Sequence, residues 1–207
     1  MEDGLKKKYR AGVIGLGFIG SEAEERHVNY PGRIIYPHGH AGAFAGSSRT
    51  VLVAGADLSP QRLEVFSRRW SVKNVYLDYR EMLEKERLDV VGIATPPSNH
   101  KQAVLDTVGA GVKGILCEKP IATNLRDADD MLQACDRAGV QIAINTWRRW
   151  EPYYVRAKEL IQEGAIGALK AVVGHWSGMV LSTGSHGYDI LNYFVDADVD
   201  WLIGCLD

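Results

Sequence analysis

Gly15-Leu16-Gly17-Phe18-Ile19-Gly20 follows directly on an apolar run at residues 11–14. A G-x-G-x-x-G pattern at that place narrows the folds open to this chain more than any other feature. The first glycine lets the chain turn tightly off a strand. The second carries no side chain that would hold a pyrophosphate away from the backbone, and the third lets the following helix pack close. The start of that helix offers unpaired N–H groups and a partial positive charge to an anion. Phe18 and Ile19 belong to the same turn. An ordinary strand-to-helix turn is the competing reading, because glycine is common here, 22 of 207 residues. The surroundings of the motif decide between the two.

Apolar runs alternate with helical patterns from residue 11 to residue 144. Buried-type strands are expected at 51–56, 75–77, 89–94, 114–117 and 140–144. Helices are expected at 40–45, 60–70, 79–86, from Ser98 or Asn99 to 110, and at 124–138. A helical segment also begins at Ser21 and is broken by Tyr30-Pro31-Gly32 and Tyr36-Pro37-His38-Gly39. Strict strand–helix alternation predicts a doubly wound parallel sheet of Rossmann type over residues 1–146, with helices on both faces. Ligands of such sheets lie beyond the C-terminal strand ends. Four polar stretches fall there: the glycine turn, Asp57, Thr95-Pro96-Pro97-Ser98-Asn99-His100, and Glu118-Lys119-Pro120.

Asp57 ends the second strand, where an acid accepts hydrogen bonds from adenosine ribose hydroxyls. That acid usually follows the glycines by about 20 residues. The broken segment at 21–37 reads as an insertion that accounts for the greater distance. Helix capping is the alternative, although Ser59-Pro60 makes the better cap and first turn. From Asn145 the character changes to the aromatic and basic Trp147-Arg148-Arg149-Trp150. A helix to Glu163, a strand at 169–176, a helix at 185–194 and a strand at 201–206 are expected there. The region 147–207 is short for a core of its own. It also ends on a strand-like run with no turn behind it, so it reads as the incomplete start of an α+β substrate domain. Trp147, Arg148 and Arg149 follow the last strand of the first domain. They suit either a substrate cleft, with stacking on a sugar face and bonds to its hydroxyls, or a packed hinge.

A net charge of −2 gives no electrostatic case for nucleic acid or an anionic membrane. No run approaches the roughly 18 apolar residues of a membrane span. Cys117, Cys135 and Cys205 are odd in number and lack metal-ligand spacing, which fits free thiols in a reducing cytoplasm. His38 and His40 have no acid or cysteine at ligand spacing, so no metal site is expected.

The chain resembles the glucose–fructose oxidoreductase / inositol dehydrogenase / MocA family. The matching pieces are the glycine turn, Ala56-Asp57, Thr95-Pro96-Pro97 with Asn99-His100, Glu118-Lys119-Pro120, Gly164-Ala165-Ile166-Gly167, and Gly184-Ser185-His186 with Asp189. They occur in family order and span nearly the whole chain. The resemblance implies NAD, with NADP also possible, held by Gly15, Gly17, Phe18, Ile19, Gly20, Asp57, Thr95, Pro96, Asn99, His100, Glu118 and Lys119. It implies that Lys119 lies beside nicotinamide and substrate, and that the Lys119–Pro120 peptide is often cis. An ammonium beside a cationic nicotinamide gives up its proton more readily, which suits proton exchange. A surface ion pair with Glu118 is the other reading of Lys119. His186 would be the second proton-transfer group, with helix capping as the alternative. Asp189, on the same helix face, would orient its ring or support the helix start.

The chain departs from the family at several points. Many members carry Asp four residues before that histidine, where this chain has Ser182, a residue placed here at the substrate pocket. The chain lacks the large C-terminal sheet, and the oligomer the family implies is doubtful without it. The leading expectation is a cytoplasmic NAD(P)-dependent oxidoreductase of a sugar, polyol or related hydroxy compound. The alternatives are an NAD-dependent glycosidase on the same scaffold and a non-catalytic dinucleotide-binding fragment.

Overall fold

The computed structural model describes residues 8–23, 39–176 and 183–204. The chain divides into two compact units, Met1–Asn145 and Thr146–Asp207.

The first unit is built on six parallel strands: β1 (Tyr9–Ile14), β2 (Thr50–Ala56), β3 (Asn74–Tyr76), β4 (Val90–Ile93), β5 (Gly114–Cys117) and β6 (Gln141–Ile144), in the order β3-β2-β1-β4-β5-β6. This is the order of the dinucleotide-binding fold, and the direction of winding reverses between β1 and β4. The helices are α1 (His40–Gly46), α2 (Pro60–Trp70), α3 (Tyr79–Glu86), α4 (His100–Gly109) and α5 (Leu125–Ala138). The doubly wound parallel sheet expected from the alternation is present.

Side-chain alternation along the strands divides the core in two. Ala11 and Val13 of β1 pack with Ala41, Phe44, Leu63 and Phe66 of α1 and α2. Ile14, Ala54, Ala56, Val91 and Ile93 pack with Met82, Leu83, Ala103, Val104 and Met131 of α3, α4 and α5. Each fully buried Val, Leu, Ile, Phe or Met side chain among them contributes roughly 1.5–3 kcal/mol. Glycines within the strands let large groups press onto the sheet. A Cβ on Gly55 would stand 2.6 Å from the Phe66 ring, and one on Gly92 would stand 2.5 Å from His40 Nδ1.

Local signals end the helices where the sequence places them. Ser59 Oγ accepts from Arg62 N, and Asp78 from Arg80 N, at the starts of α2 and α3. Asn124 accepts from Asp127 N, and Gly139 closes α5 in the left-handed region at φ 66°. At α4, a 3-10 turn over Pro97–Asn99 leads in, and Asn99 makes no side-chain cap bond. Its prolines set that entry instead. After Gly17 the chain makes a π-helical turn, Phe18–Glu22. The rest of the expected 21–37 insertion lies outside the described residues, as do His38 and Cys205. Cys117 and Cys135 are buried free thiols, and burial, with Glu118 beside it, pushes the Cys117 thiol up to about 12.

The second unit holds a 3-10 turn (Trp147–Trp150), α6 (Pro152–Gln162) and α7 (Ser185–Val195). The strands expected at 169–176 and 201–206 do not form over their described residues, 169–176 and 201–204. A strand needs a neighbour to take its backbone N–H and C=O groups. Among the described residues no strand pairs with either segment. Trp201, Leu202 and Ile203 are exposed.

Glu86, the last residue of α3, collects Arg10 Nη2 (3.0 Å), Asn74 Nδ2 (3.1 Å) and Tyr76 Oη (2.5 Å). Burial first, then the bond to Glu86 and its charge, raise the Tyr76 phenol from 10.0 to about 12. Because the folded value is the higher, this stability is complete below pH 10 and is lost as pH rises through 12. Thermal unfolding measured from pH 9 to pH 12 is expected to show a falling melting temperature that is shallower in Tyr76→Phe.

Candidate cofactor and catalytic site

Strand register sets the site. Tyr76, Ala56, Ile14, Ile93, Cys117 and Ile144 are paired across the sheet, so all six strands end level. The next residues close one further rung of hydrogen bonds. Gly15 N donates to Ala56 O, Asp57 N to Tyr76 O, Ala94 N to Ile14 O, Glu118 N to Ile93 O, and Asn145 N to Cys117 O, at 2.8–3.1 Å. The polar stretches singled out in the sequence thus stand along one rim.

The glycine turn sits at the switch between β1 and β4. Gly15 has φ +86°, and a Cβ there would meet Ala94 backbone atoms at 2.8 Å. A Cβ on Gly20 would fall 1.9 Å from the Gly15 carbonyl oxygen. Gly17 is different: its φ is −71°, and the nearest atom to its Cβ position is Arg62 Cζ at 3.8 Å. Two glycines are demanded by the protein's own backbone, while a Cβ on the middle one would meet only the end of the flexible Arg62 side chain among the described residues, at ordinary contact distance. Phe18 is exposed and Ile19 partly covered in the same turn.

Asp57 does more than either reading of it supposed. Its Oδ2 accepts from Leu16 N at 2.8 Å and its Oδ1 from Ser59 N at 2.9 Å. The carboxylate therefore ties the glycine turn to the start of α2, which Ser59 caps. Arg62 Nη1 lies 3.5 Å from Oδ2. A carboxylate offers about four acceptor positions, so capacity for a ribose hydroxyl remains.

Thr95 Oγ1, just past β4, is buried with no hydrogen-bond partner, while Pro96 and Asn99 are exposed. His100 is fully buried. Its Nε2 faces Thr95 O at 2.8 Å, and its Nδ1 faces Pro120 O at 3.0 Å and Ile121 O at 3.2 Å. Its side chain therefore joins the loops after β4 and β5 and does not project from the rim.

Glu118 is also turned inward. Oε1 accepts from Asn145 Nδ2 at 2.6 Å and meets His40 Nε2 at 3.1 Å, and Lys119 N donates to Oε2 at 3.3 Å. Burial works to raise this carboxyl, but the bonds from His40 and Asn145 outweigh it and hold it below the ordinary glutamate range. The Lys119–Pro120 peptide is cis, and Lys119 is half-buried at the level of the rim. Sequence reading missed His40 as Glu118's partner, because the two lie 78 positions apart. The available signal was Gly92, a glycine inside a buried strand, which marks a close approach by another group.

In the second unit the Trp147 and His186 rings meet edge to face at 5.9 Å, and Arg148 lies 5.6 Å from the Trp147 ring. Asp189 turns to Arg149, whose Nε donates at 2.7 and 2.8 Å to its two oxygens. This ion pair joins the 3-10 turn to α7. Ser182 lies outside the described residues.

The rim fits a dinucleotide on its own geometry. It has a glycine backbone at Gly17 with only the end of the Arg62 side chain near its Cβ position among the described residues, an orphaned buried hydroxyl at Thr95, and an acid at the end of β2. Its class is that of a dinucleotide-binding α/β fold. The comparisons agree: residues 9–146, about two thirds of the chain, match the family described as "Oxidoreductase family, NAD-binding Rossmann fold". The chain belongs to this glucose–fructose oxidoreductase / inositol dehydrogenase / MocA family. It is 31% identical over 161 residues to D-apiose dehydrogenase of Paraburkholderia graminis, covering 78% of this chain and 38% of that protein. It is 26% identical over 212 residues to inositol 2-dehydrogenase of Rubrobacter xylanophilus, covering 95% and 55%. Its fold matches the scyllo-inositol dehydrogenase of Lactobacillus casei, solved with bound NAD(H) and scyllo-inositol. That match has a TM-score of 0.74 at 21% identity and covers 91% of this chain and 56% of that one. The chain thus spans about four tenths to just over half of these relatives' lengths. The relatives are named as dehydrogenases, which does not favour the glycosidase alternative. No described helix is long and apolar enough to cross a membrane.

Two glycine substitutions separate folding from binding. Gly20→Ala forces a backbone clash and is expected to cost about 3 kcal/mol or more, a loss tied to strain at a special position. Gly17→Ala is expected to leave stability within about 0.5 kcal/mol. It should nevertheless weaken NADH binding, measured by fluorescence titration, because its methyl occupies the pyrophosphate's approach.

Proposed function

We propose that this chain acts as an NAD-dependent oxidoreductase. The reaction would move hydride between nicotinamide and a hydroxyl-bearing carbon of a sugar, polyol or related compound. The observation that carries this reading is the level rim: Gly15, Thr95 and Lys119 follow the ends of the adjacent strands β1, β4 and β5.

Gly15, Gly17, Phe18, Ile19 and Gly20 would hold the pyrophosphate, and Asp57 the adenosine ribose. Thr95, Pro96 and Asn99 would border the nicotinamide end. His100 and Glu118 would take part from below, through the loops they hold. A carboxylate at Asp57 repels a 2′-phosphate, which favours NAD. Arg62, 3.5 Å away, partly offsets that repulsion and leaves NADP a weaker ligand. A bound nicotinamide would supply the hydride chemistry. Lys119 Nζ would take the hydroxyl proton of the substrate in the oxidative direction and return it in reverse. His186 is the second proton-transfer group. Trp147 suits the apolar face of a sugar and Arg148 its hydroxyls, while Arg149 holds Asp189 and so supports α7. Ser182 is assigned to the substrate pocket in place of a family aspartate. The units 1–146 and 147–207 divide this labour as cofactor and substrate domains. Buried free thiols fit the cytoplasm.

Fluorescence titration of the chain with NADH is expected to saturate, with weaker binding of NADPH. Lys119→Met should keep NADH binding and abolish turnover of any sugar or polyol that the wild type oxidises. A folded chain that binds neither nucleotide, or a Lys119→Met variant with wild-type turnover, contradicts the reading.

A further inference from the structure

Two buried histidines flank Lys119, and neither is a proton-transfer group in the proposed chemistry. On one side His40, the first residue of α1 and 1% exposed, meets the Glu118 carboxylate through Nε2. Its Nδ1 faces Gly92 of β4 and has no hydrogen-bond partner. A ring with the proton on Nε2 satisfies this geometry, since it donates to the carboxylate and strands no N–H. The same carboxylate is held by Asn145 from the end of β6, and it accepts from the backbone N–H of Lys119 itself. On the other side His100, fully buried, faces the carbonyls of Pro120 and Ile121 with one ring nitrogen and that of Thr95 with the other. Residues 118, 120 and 121 are therefore each bonded to a buried imidazole, while 119 between them is not drawn into the core.

We propose that His40 and His100 are positioning residues that hold the Lys119 backbone from both sides, His40 through Glu118 and His100 through the carbonyls that follow. The inference rests on the assignment of Lys119 to the nicotinamide end of the site. A backbone fixed at both flanks sets where the lysine side chain starts when ligand binds. Small misplacements of a reacting group cost up to about a hundredfold in rate, so such fixing has catalytic weight.

The test uses His40→Phe and His100→Phe, which fill the space without a donor, and His40→Gln, which keeps an N–H for Glu118. Asn145→Ala removes a donor from the same carboxylate at a less buried position. Each folded variant is titrated with NADH. Each is then acetylated with acetic anhydride, with and without NADH, and Lys119 labelling is read by mass spectrometry against exposed Lys73. Wild type is expected to bind NADH and to show Lys119 shielded by it. At saturating NADH the two phenylalanine variants should lose that shielding, His40→Gln should restore it, and Asn145→Ala should lose it in part. With an oxidisable substrate, kcat should fall about tenfold or more at unchanged KM in the variants that lose shielding. Full shielding in folded phenylalanine variants overturns the proposal, as does His40→Gln behaving like His40→Phe. If the phenylalanine variants do not fold, wild-type shielding in Asn145→Ala overturns the His40 arm. Wild type that binds NADH with Lys119 unshielded overturns the placement of Lys119 instead, and the positioning role with it.

Discussion

The structure depends on how closely two strands' ends approach at one point. Where β1 and β4 part to opposite sides of the sheet, the Gly15 backbone lies against the backbone of Ala94 and Thr95, and Gly20 lies against the Gly15 carbonyl. No side chain fits in either gap. The chain can make this turn only with glycine, and making it leaves Gly17 with no backbone against its Cβ position, only the end of the Arg62 side chain, among the described residues. The room for a dinucleotide follows from backbone sterics at the switch point, before any side-chain chemistry is added.

Around that point the polar groups divide by direction. Asp57 spans the glycine turn and the start of α2 with both carboxylate oxygens. Glu118 and His100 turn inward and bind the loops after β4, β5 and β6 to one another. Buried polar groups satisfied in this way lend rigidity, and each would be costly if left unpaired. Gly17, the half-buried Lys119 and the exposed Asn99 are carried on loops braced from below. That separation of supporting and presenting residues accounts for polar motifs in which about half of the side chains are hidden.

The fold was legible because its determinants are local. Strand–helix alternation, Ser59-Pro60, Asn124 and Gly139 each act within a few residues, and the strands and helices of the first unit stand within a residue or two of expectation. The glycine turn and the stretches at 57, 95–100 and 118–120 were legible for the same reason. The directions of the side chains were not. Nothing near Glu118 in the sequence says that it faces His40, and nothing near His186 says that Asp189 turns to Arg149. Both contacts depend on tertiary packing across 78 and 40 positions. The strands that do not form at 169–176 and over the described residues 201–204 have a related cause. An alternating apolar pattern states which face would be buried, but a strand exists only beside a partner, and sequence alone does not provide one.

The most direct test of the account is amide hydrogen exchange of the chain with and without NAD⁺. Bound NAD⁺ should slow exchange in peptides covering residues 15–20, 94–99 and 118–121 while leaving those at β3 and α3 unchanged. Protection confined to other regions, with the glycine turn exchanging as fast as in the free chain, would contradict the placement of the cofactor across the switch point.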